Sequence, residues 1–263
     1  YEEKRKIMIN MEELKFTYNN GFSLNIDKLN VKKGDIVSII GPNGAGKSTL
    51  IKIISKILKN YTGRIMIENK ELSNYSYKEL SRKIAIVPQE FNTTFEYDVE
   101  SVISTARLPY SRRFSFFETQ EDKKIINQVL ELVGLVKYKN KPFSLLSGGE
   151  KQKVMIARAF AQKTPILLLD EFSSHLDPGY TQNLLKLVKS MAEKEGKTVL
   201  AVFHDINSAA IFSDKIVVMK DGEIKYQGTP KEIFKETLMK EIFDIEVYII
   251  EHPIKKIPQI LYK

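Results

Sequence analysis

The chain has 263 residues, 41 Lys and Arg against 33 Asp and Glu for a formal net charge of +8, and no cysteine. That length can bury a sizeable core as one large domain or as one domain with subdomains. The missing thiols exclude disulfides, zinc–thiolate sites and thiol catalysis, and fit a reducing compartment.

No apolar run approaches the roughly 20 residues of a membrane span and no signal peptide stands behind Tyr1, so the chain is expected not to cross a bilayer by itself. The absent initiator methionine suggests that Tyr1 is not the natural start. The basic excess by itself leaves a nucleic-acid partner possible, but it is spread along the chain rather than gathered into one arm and no recognition motif accompanies it, so none is expected. A nucleotide-binding surface held near an anionic cytoplasmic leaflet accounts for the same balance.

From Ile7 to Asn30 apolar residues come in short alternating runs broken by Asn19-Asn20-Gly21, a hairpin signal, so small antiparallel strands are expected. Tyr18 falls before that turn, where its ring can stack on a nucleotide base or simply pack on the sheet. Ile36-Val37-Ser38-Ile39-Ile40 is short and β-branched, as a buried strand should be, and Leu50, Ile51, Ile53, Ile54, Ile57 and Leu58 recur at helical spacing. Between them lies Gly41-Pro42-Asn43-Gly44-Ala45-Gly46-Lys47-Ser48-Thr49. Strand, glycine loop and helix in this order form a phosphate-binding loop: the glycines let backbone N–H groups turn inward around an oxyanion, and the helix adds the positive end of its dipole. Lys47 can reach the terminal phosphates, while the Ser48 hydroxyl is placed to ligate magnesium.

Gly63 to Asn69 reads as a short strand and Lys83 to Val87 as a buried one, stopped by Pro88-Gln89. A glutamine at the end of a central strand can bond to a magnesium-bound water, or be an ordinary loop residue. From about Glu90 to Ala161 the spacing turns helical, which predicts an inserted helical subdomain, with Ile125, Val129, Leu132 and Val133 on one apolar face and Gly134 as the stop. Within it, Leu108 to Phe117 is aromatic and basic together, a docking surface if exposed and subdomain core if buried. Leu146-Ser147-Gly148-Gly149-Glu150 opens a helix with Val154, Ala157 and Ala161 on one face. Ser147 can cap that helix or donate, and the glycines expose N–H groups as a second anion site.

Ile166 to Leu169 is a buried strand that delivers Asp170 and Glu171 at its carboxyl end, where open α/β sheets place ligands. Strand alternation would turn the two acids opposite ways, Asp170 to magnesium and Glu171 to the attacking water. Thr198 to Phe203 is a further buried strand ending in His204, which can approach a γ-phosphate. Ile216 to Tyr226 reads as a hairpin turning at Asp221-Gly222, and the remainder alternates helix and short strand without chemical signals.

Together these positions resemble the ATP-binding cassette family, the nucleotide-binding subunits of ABC transporters. The resemblance implies an α/β fold with a mostly parallel core sheet around the phosphate loop, an N-terminal antiparallel β subdomain and an inserted α-helical subdomain. It implies a cassette over residues 7–250, the insert at about 90–161, and a short tail at 251–263. By it, Tyr18 is the adenine-stacking aromatic; Gly41, Asn43, Gly44, Ala45, Gly46, Lys47, Ser48 and Thr49 bind the nucleotide phosphates; Gln89, Ser48 and Asp170 serve magnesium. Glu171 becomes the general base, with His204, Gln89 and Lys47 also catalytic. Ser147, Gly148, Gly149 and Glu150 become the signature that binds the ATP of a second copy, and Ser174-His175-Leu176-Asp177 the dimer-interface loop.

The cofactors implied are ATP and Mg2+, and the partner a second copy in a head-to-tail pair that buries two nucleotides, closing on binding and opening on hydrolysis. Within the family the chain looks most like ATPases of importers for iron–siderophore complexes, haem and cobalamin, through Ser174 to Asp177, the stretch around Leu108 to Phe117, and Phe243-Asp244-Ile245-Glu246-Val247 leading to His252-Pro253. That likeness implies two transmembrane permease subunits, an extracytoplasmic substrate-binding protein, and a peripheral place on the cytoplasmic face of the cell membrane. The alternative is a soluble cassette ATPase of DNA repair, translation or cluster assembly, but the second cassette, coiled-coil insertion or cysteine clusters usual there do not appear. Phe172-Ser173 stands where Pro-Thr is often seen, and Lys151 and Lys153 where arginine is common.

Overall fold

The computed structural model describes residues 5–19, 21–89, 91, 96–111, 119–174 and 176–263. Strands β1 (Ile7–Thr17), β2 (Ser23–Lys32) and β3 (Ile36–Ile40) lead to helix α1 (Lys47–Ile54), followed by β4 (Tyr61–Ile67) and β5 (Lys70–Glu71). A helical stretch comes next, with α2 (Tyr77–Leu80), β6 (Ile84–Val87), α3 (Val99–Ser104), α4 (Gln120–Leu132), α5 (Gly148–Ala161), β7 (Ile166–Asp170) and α6 (Pro178–Glu195). The chain closes with β8 (Thr198–Val202), α7 (Ile206–Phe212), β9 (Lys215–Lys220), β10 (Glu223–Gly228), α8 (Pro230–Ile233), α9 (Glu236–Phe243), β11 (Val247–Glu251) and β12 (Pro258–Tyr262). Two compact units result, one of Tyr1–Tyr75 with Gly196–Lys263 and one of Ser76–Glu195.

In the first unit β1 pairs antiparallel with β2 and β4, and its period-two alternation holds in two stretches: Ile9 and Met11, then Leu14 and Phe16, are buried, with the register shifted between them at a bulge where Glu13 takes φ 51°. The hairpin expected at Asn19-Asn20-Gly21 is present as the link between β1 and β2, though Asn20 itself lies outside the described residues. β3 runs parallel between β8 and β9 and is buried along its whole length, which is why it reads as an apolar run interrupted only by the small Ser38. The helix after it is shorter than its spacing suggests. α1 ends at Ile54, Lys56 takes a left-handed conformation at φ 62°, and Ile57 is 64% exposed, so Ile57 and Leu58 are not part of the helical stripe. Residues 251–263 form most of a second small sheet, in which β11 pairs antiparallel with β12.

In the second unit β6 and β7 form a parallel pair in register from Ile84 with Ile166 to Val87 with Leu169. Helices α3 and α4 pack on α5, which buries Val154, Met155, Ile156, Ala157, Ala159, Phe160 and Ala161, more than one face. The apolar face of α4 is Ile126, Val129 and Leu130, continued by Val133, rather than one that includes Ile125 and Leu132; Leu132 is 48% exposed. Ile125, Val129, Leu132 and Val133 fit a 3.6-residue stripe as well as Ile126, Val129, Leu130 and Val133 do, and packing on α5 selects the register. Arg107 ties the helices together through Asp122 Oδ1 at 2.6 Å and the Ala161 carbonyl at 3.0 Å. Phe160 is fully buried. Phe160→Ala should cost about 3–5 kcal/mol, the usual loss for emptying an aromatic site, measured as a lower denaturation midpoint at unchanged m value; a loss under about 1 kcal/mol would mean that this core closes over the gap.

Candidate nucleotide site

The first unit carries the phosphate loop. β3 ends at Ile40, and Gly41 passes so close to β9 that a Cβ there would lie 2.1 Å from the Met219 carbonyl oxygen. Gly46 caps α1 in the left-handed region at φ 95°, with space beside it already taken: a Cβ would meet Leu24 Cδ1 at 2.8 Å and Phe22 Cζ at 3.0 Å. Lys47 is buried and its Nζ donates to the carbonyls of Gly41 at 2.8 Å and Pro42 at 3.0 Å, so the ammonium lies inside the curve of its own loop. The Phe203 N–H donates to the Ile39 carbonyl at 3.0 Å, which sets His204, exposed, beyond the end of β8 beside the strand that feeds the loop. Asp205 caps α7 through the N–H groups of Asn207 and Ser208, turning the chain just after His204.

Tyr18 is half-buried. Its N–H donates to the Phe22 carbonyl at 2.9 Å and its own carbonyl accepts from Gly21 at 3.0 Å, and its ring meets Phe16 edge-on at 4.7 Å and Phe22 at 6.2 Å. An open cleft of about 580 Å³ lies against this ring, lined also by Asn19, Ile57, Lys59 and Asn60. Phe22, against both Gly46 and Tyr18, escapes sequence reasoning because an apolar residue just before a strand carries no signal of what it touches.

The second unit carries the acids. β7 ends on Asp170, which is buried to 7% exposure. Glu171 is not a strand residue: it takes a left-handed conformation at φ 45°, so strand alternation is not what separates the two carboxylates. Its carboxylate accepts from Gln89 Nε2 at 2.9 Å, a pairing of the two sequence-predicted residues that spacing alone does not foretell. Since a carboxylate only accepts, the contact fixes which end of the Gln89 amide faces it.

Ser147 caps α5 in a reciprocal box with Glu150: the Glu150 N–H donates to Ser147 Oγ at 3.3 Å, and the Glu150 carboxylate accepts from the Ser147 N–H at 2.8 Å. Backbone hydrogen bonding from Ser147, then a hydrogen bond from Tyr138, holds the Glu150 carboxyl below the usual range. Gly148 is exposed at the tip, and Tyr180, unremarked in the sequence, bonds the Gly149 carbonyl from α6. Ser174 N–H donates to the Glu171 carbonyl at 3.0 Å, so the acid and the following loop are continuous. His175 lies outside the described residues, as do residues 112–117 of the aromatic-basic stretch. Of the latter's described part, Leu108 is 59% exposed, whereas Tyr110 has Arg107 4.1 Å and Arg82 5.3 Å from its ring centre and donates to the Gln162 carbonyl.

A glycine loop between a buried parallel strand and a helix, joined in one chain with a strand that ends on acids, is the architecture of a P-loop nucleoside triphosphatase. The family model for ABC transporters matches residues 24–174. The iron(3+)-hydroxamate import ATP-binding protein FhuC of Bacillus subtilis (strain 168) is 34% identical over 93% of this chain and 91% of its own. The hemin import ATP-binding protein HmuV of Rhodococcus jostii (strain RHA1) is 33% identical over 86% of this chain and 76% of its own. A bacterial ABC transporter cassette solved as a dimer superposes with a TM-score of 0.72 at 33% identity, over 84% of this chain and 98% of that one. The chain belongs to the ABC transporter family, as an ATP-binding member with ATPase activity, and the fold expected from its motifs is borne out.

Proposed function

We propose that this chain is the ATP-hydrolysing subunit of an importer for iron–siderophore, haem or cobalamin-type substrates, working as a head-to-tail pair on two membrane-spanning permease subunits at the cytoplasmic face and served by an extracytoplasmic binding protein. The observation that carries this reading is a likeness to import ATP-binding proteins that runs over nearly the full length of both chains. Among the described residues no helix is long and apolar enough to cross a membrane, in keeping with a subunit that borrows its membrane path from partners.

In this reading Lys47 and the N–H groups of Gly44 to Thr49 hold the phosphates of ATP, Tyr18 stacks on its base, and Ser147 to Glu150 complete the site of a second copy. Glu171 takes the proton of the attacking water, Gln89 holds the Glu171 carboxylate in place, and His204 bonds the γ-phosphate. The oxygen donors Ser48, Gln89 and Asp170 are of the hard kind that magnesium takes, and the ion would neutralise charge developing on the phosphates.

Gentle purification from solubilised membranes tests the assignment. A polytopic membrane protein in equal amount, with ATPase activity raised by a loaded binding protein, is the expected result. Recovery wholly in the soluble fraction, bound to nucleic acid or ribosomes, would overturn the importer and leave the ATPase.

A further inference from the structure

The first turn of α6 is capped by Asp177, whose Oδ1 accepts from the Tyr180 N–H at 2.9 Å. The Tyr180 side chain crosses from there to the start of α5. Its hydroxyl donates to the Gly149 carbonyl at 2.6 Å, and its ring fills the place of the missing side chain: a Cβ on residue 149 would lie 2.7 Å from Cζ and 2.9 Å from Cε1. Lys153 Nζ sits 5.1 Å from the ring centre. Gly149 is absent from the positive-φ residues, so its backbone does not require glycine. Glycine is also a poor helix residue. What excludes a side chain there is the phenol ring. Burial, then the Glu150 and Asp177 carboxylates, push the Tyr180 hydroxyl up to about 12, which keeps it a protonated donor at any physiological pH.

We propose that Tyr180 is a positioning residue for ATP hydrolysis, locking the start of the signature helix at Gly149 to the dimer-interface loop at Asp177 so that both segments meet a second copy as one rigid surface. The proposal rests on the reading of this chain as half of an ATP-sandwich pair. Its physical content is preorganisation. Two segments that swing separately must each be ordered when the pair closes, and that entropy opposes closure; the ring and hydroxyl of Tyr180 order them beforehand. The defect on removing Tyr180 should therefore fall on pairing and turnover, and not on the ATP affinity of the separated subunit.

The test uses the full chain carrying Glu171→Gln, with ATP-driven dimerisation followed by light scattering and ATP affinity measured on dilute monomer. Tyr180→Phe, which keeps the ring and so the packing, should weaken dimerisation roughly fivefold, the worth of one hydrogen bond. Tyr180→Ala should weaken it by more than about tenfold, since ring and hydroxyl are both lost. Both should leave monomer ATP affinity within about twofold of the parent, because the residues Tyr180 holds are read as facing the partner's nucleotide. Gly149→Ala should reproduce the Tyr180→Ala defect by expelling the ring, and the double variant should be no worse than either single one.

Dimerisation at the parent's ATP concentration in both Tyr180 variants would overturn the proposal. So would a parallel loss of monomer ATP affinity, the mark of a general structural role. If the Glu171→Gln parent does not dimerise with ATP, the sandwich reading itself fails and takes this one with it, an outcome distinct from a parent that pairs and variants that pair equally well.

Discussion

Replacing Glu171 with glutamine should leave ATP binding intact while steady-state hydrolysis falls on the order of 10²- to 10⁴-fold, the usual size of a general-base contribution, and should trap a closed, ATP-loaded pair. The geometry makes this substitution informative. Glu171 stands just past the end of β7 in a left-handed conformation and accepts from Gln89 at 2.9 Å. A glutamine of the same length offers the Gln89 amide the same acceptor oxygen, so the side chain can keep its place while losing the ability to take a proton. What is removed is the proton acceptor, with the contact to Gln89 retained, and single-turnover hydrolysis alongside a direct ATP-binding titration separates chemistry from binding. Hydrolysis near the wild-type rate would show that Glu171 is not the base.

The parts legible from sequence are those whose cause is local. A buried parallel strand is mostly apolar because both faces are covered, so β3, β7 and β8 declare themselves despite the buried Ser38 and Thr198, and with them the loop and acids at their carboxyl ends. The capping box at Ser147 and Glu150 is local in the same sense, since its two members are three residues apart. Where the deciding contact comes from far along the chain, sequence is silent. Leu132 and Leu130 fit the spacing of α4 comparably, and only packing on α5 buries one and exposes the other. Periodicity likewise runs on through Ile57 and Leu58, though the helix has already stopped at Ile54. Gln89 meets Glu171 across 82 positions and Tyr180 meets Gly149 across 31, and neither separation leaves a trace in spacing. A pair of acids written next to each other invites strand alternation as the explanation of their separate roles. Glu171 instead leaves the strand in a left-handed turn, and φ is not readable from a glutamate.

Lys47→Ala, by contrast, should act on binding. The Lys47 ammonium is buried and donates to the Gly41 and Pro42 carbonyls at 2.8 and 3.0 Å, so the charge is already held on the inner side of the loop. Hydrogen bonds to charged groups contribute about 1.5–3 kcal/mol each, so losing one such ammonium–phosphate contact should weaken ATP affinity by roughly 10- to 100-fold. The same truncation deprives two loop carbonyls of their donor, so part of any loss belongs to the loop itself. Lys47→Arg separates these contributions. It keeps the charge, but its planar guanidinium is larger than the site of a compact ammonium, and it should recover electrostatic attraction while fitting the curve of the loop poorly. Binding that falls steeply in Lys47→Ala and returns only in part in Lys47→Arg would assign the residue to the phosphates. Unchanged ATP affinity in Lys47→Ala would mean that the ammonium serves the loop carbonyls alone, and the phosphate-loop reading of Gly41 to Thr49 would have to be given up.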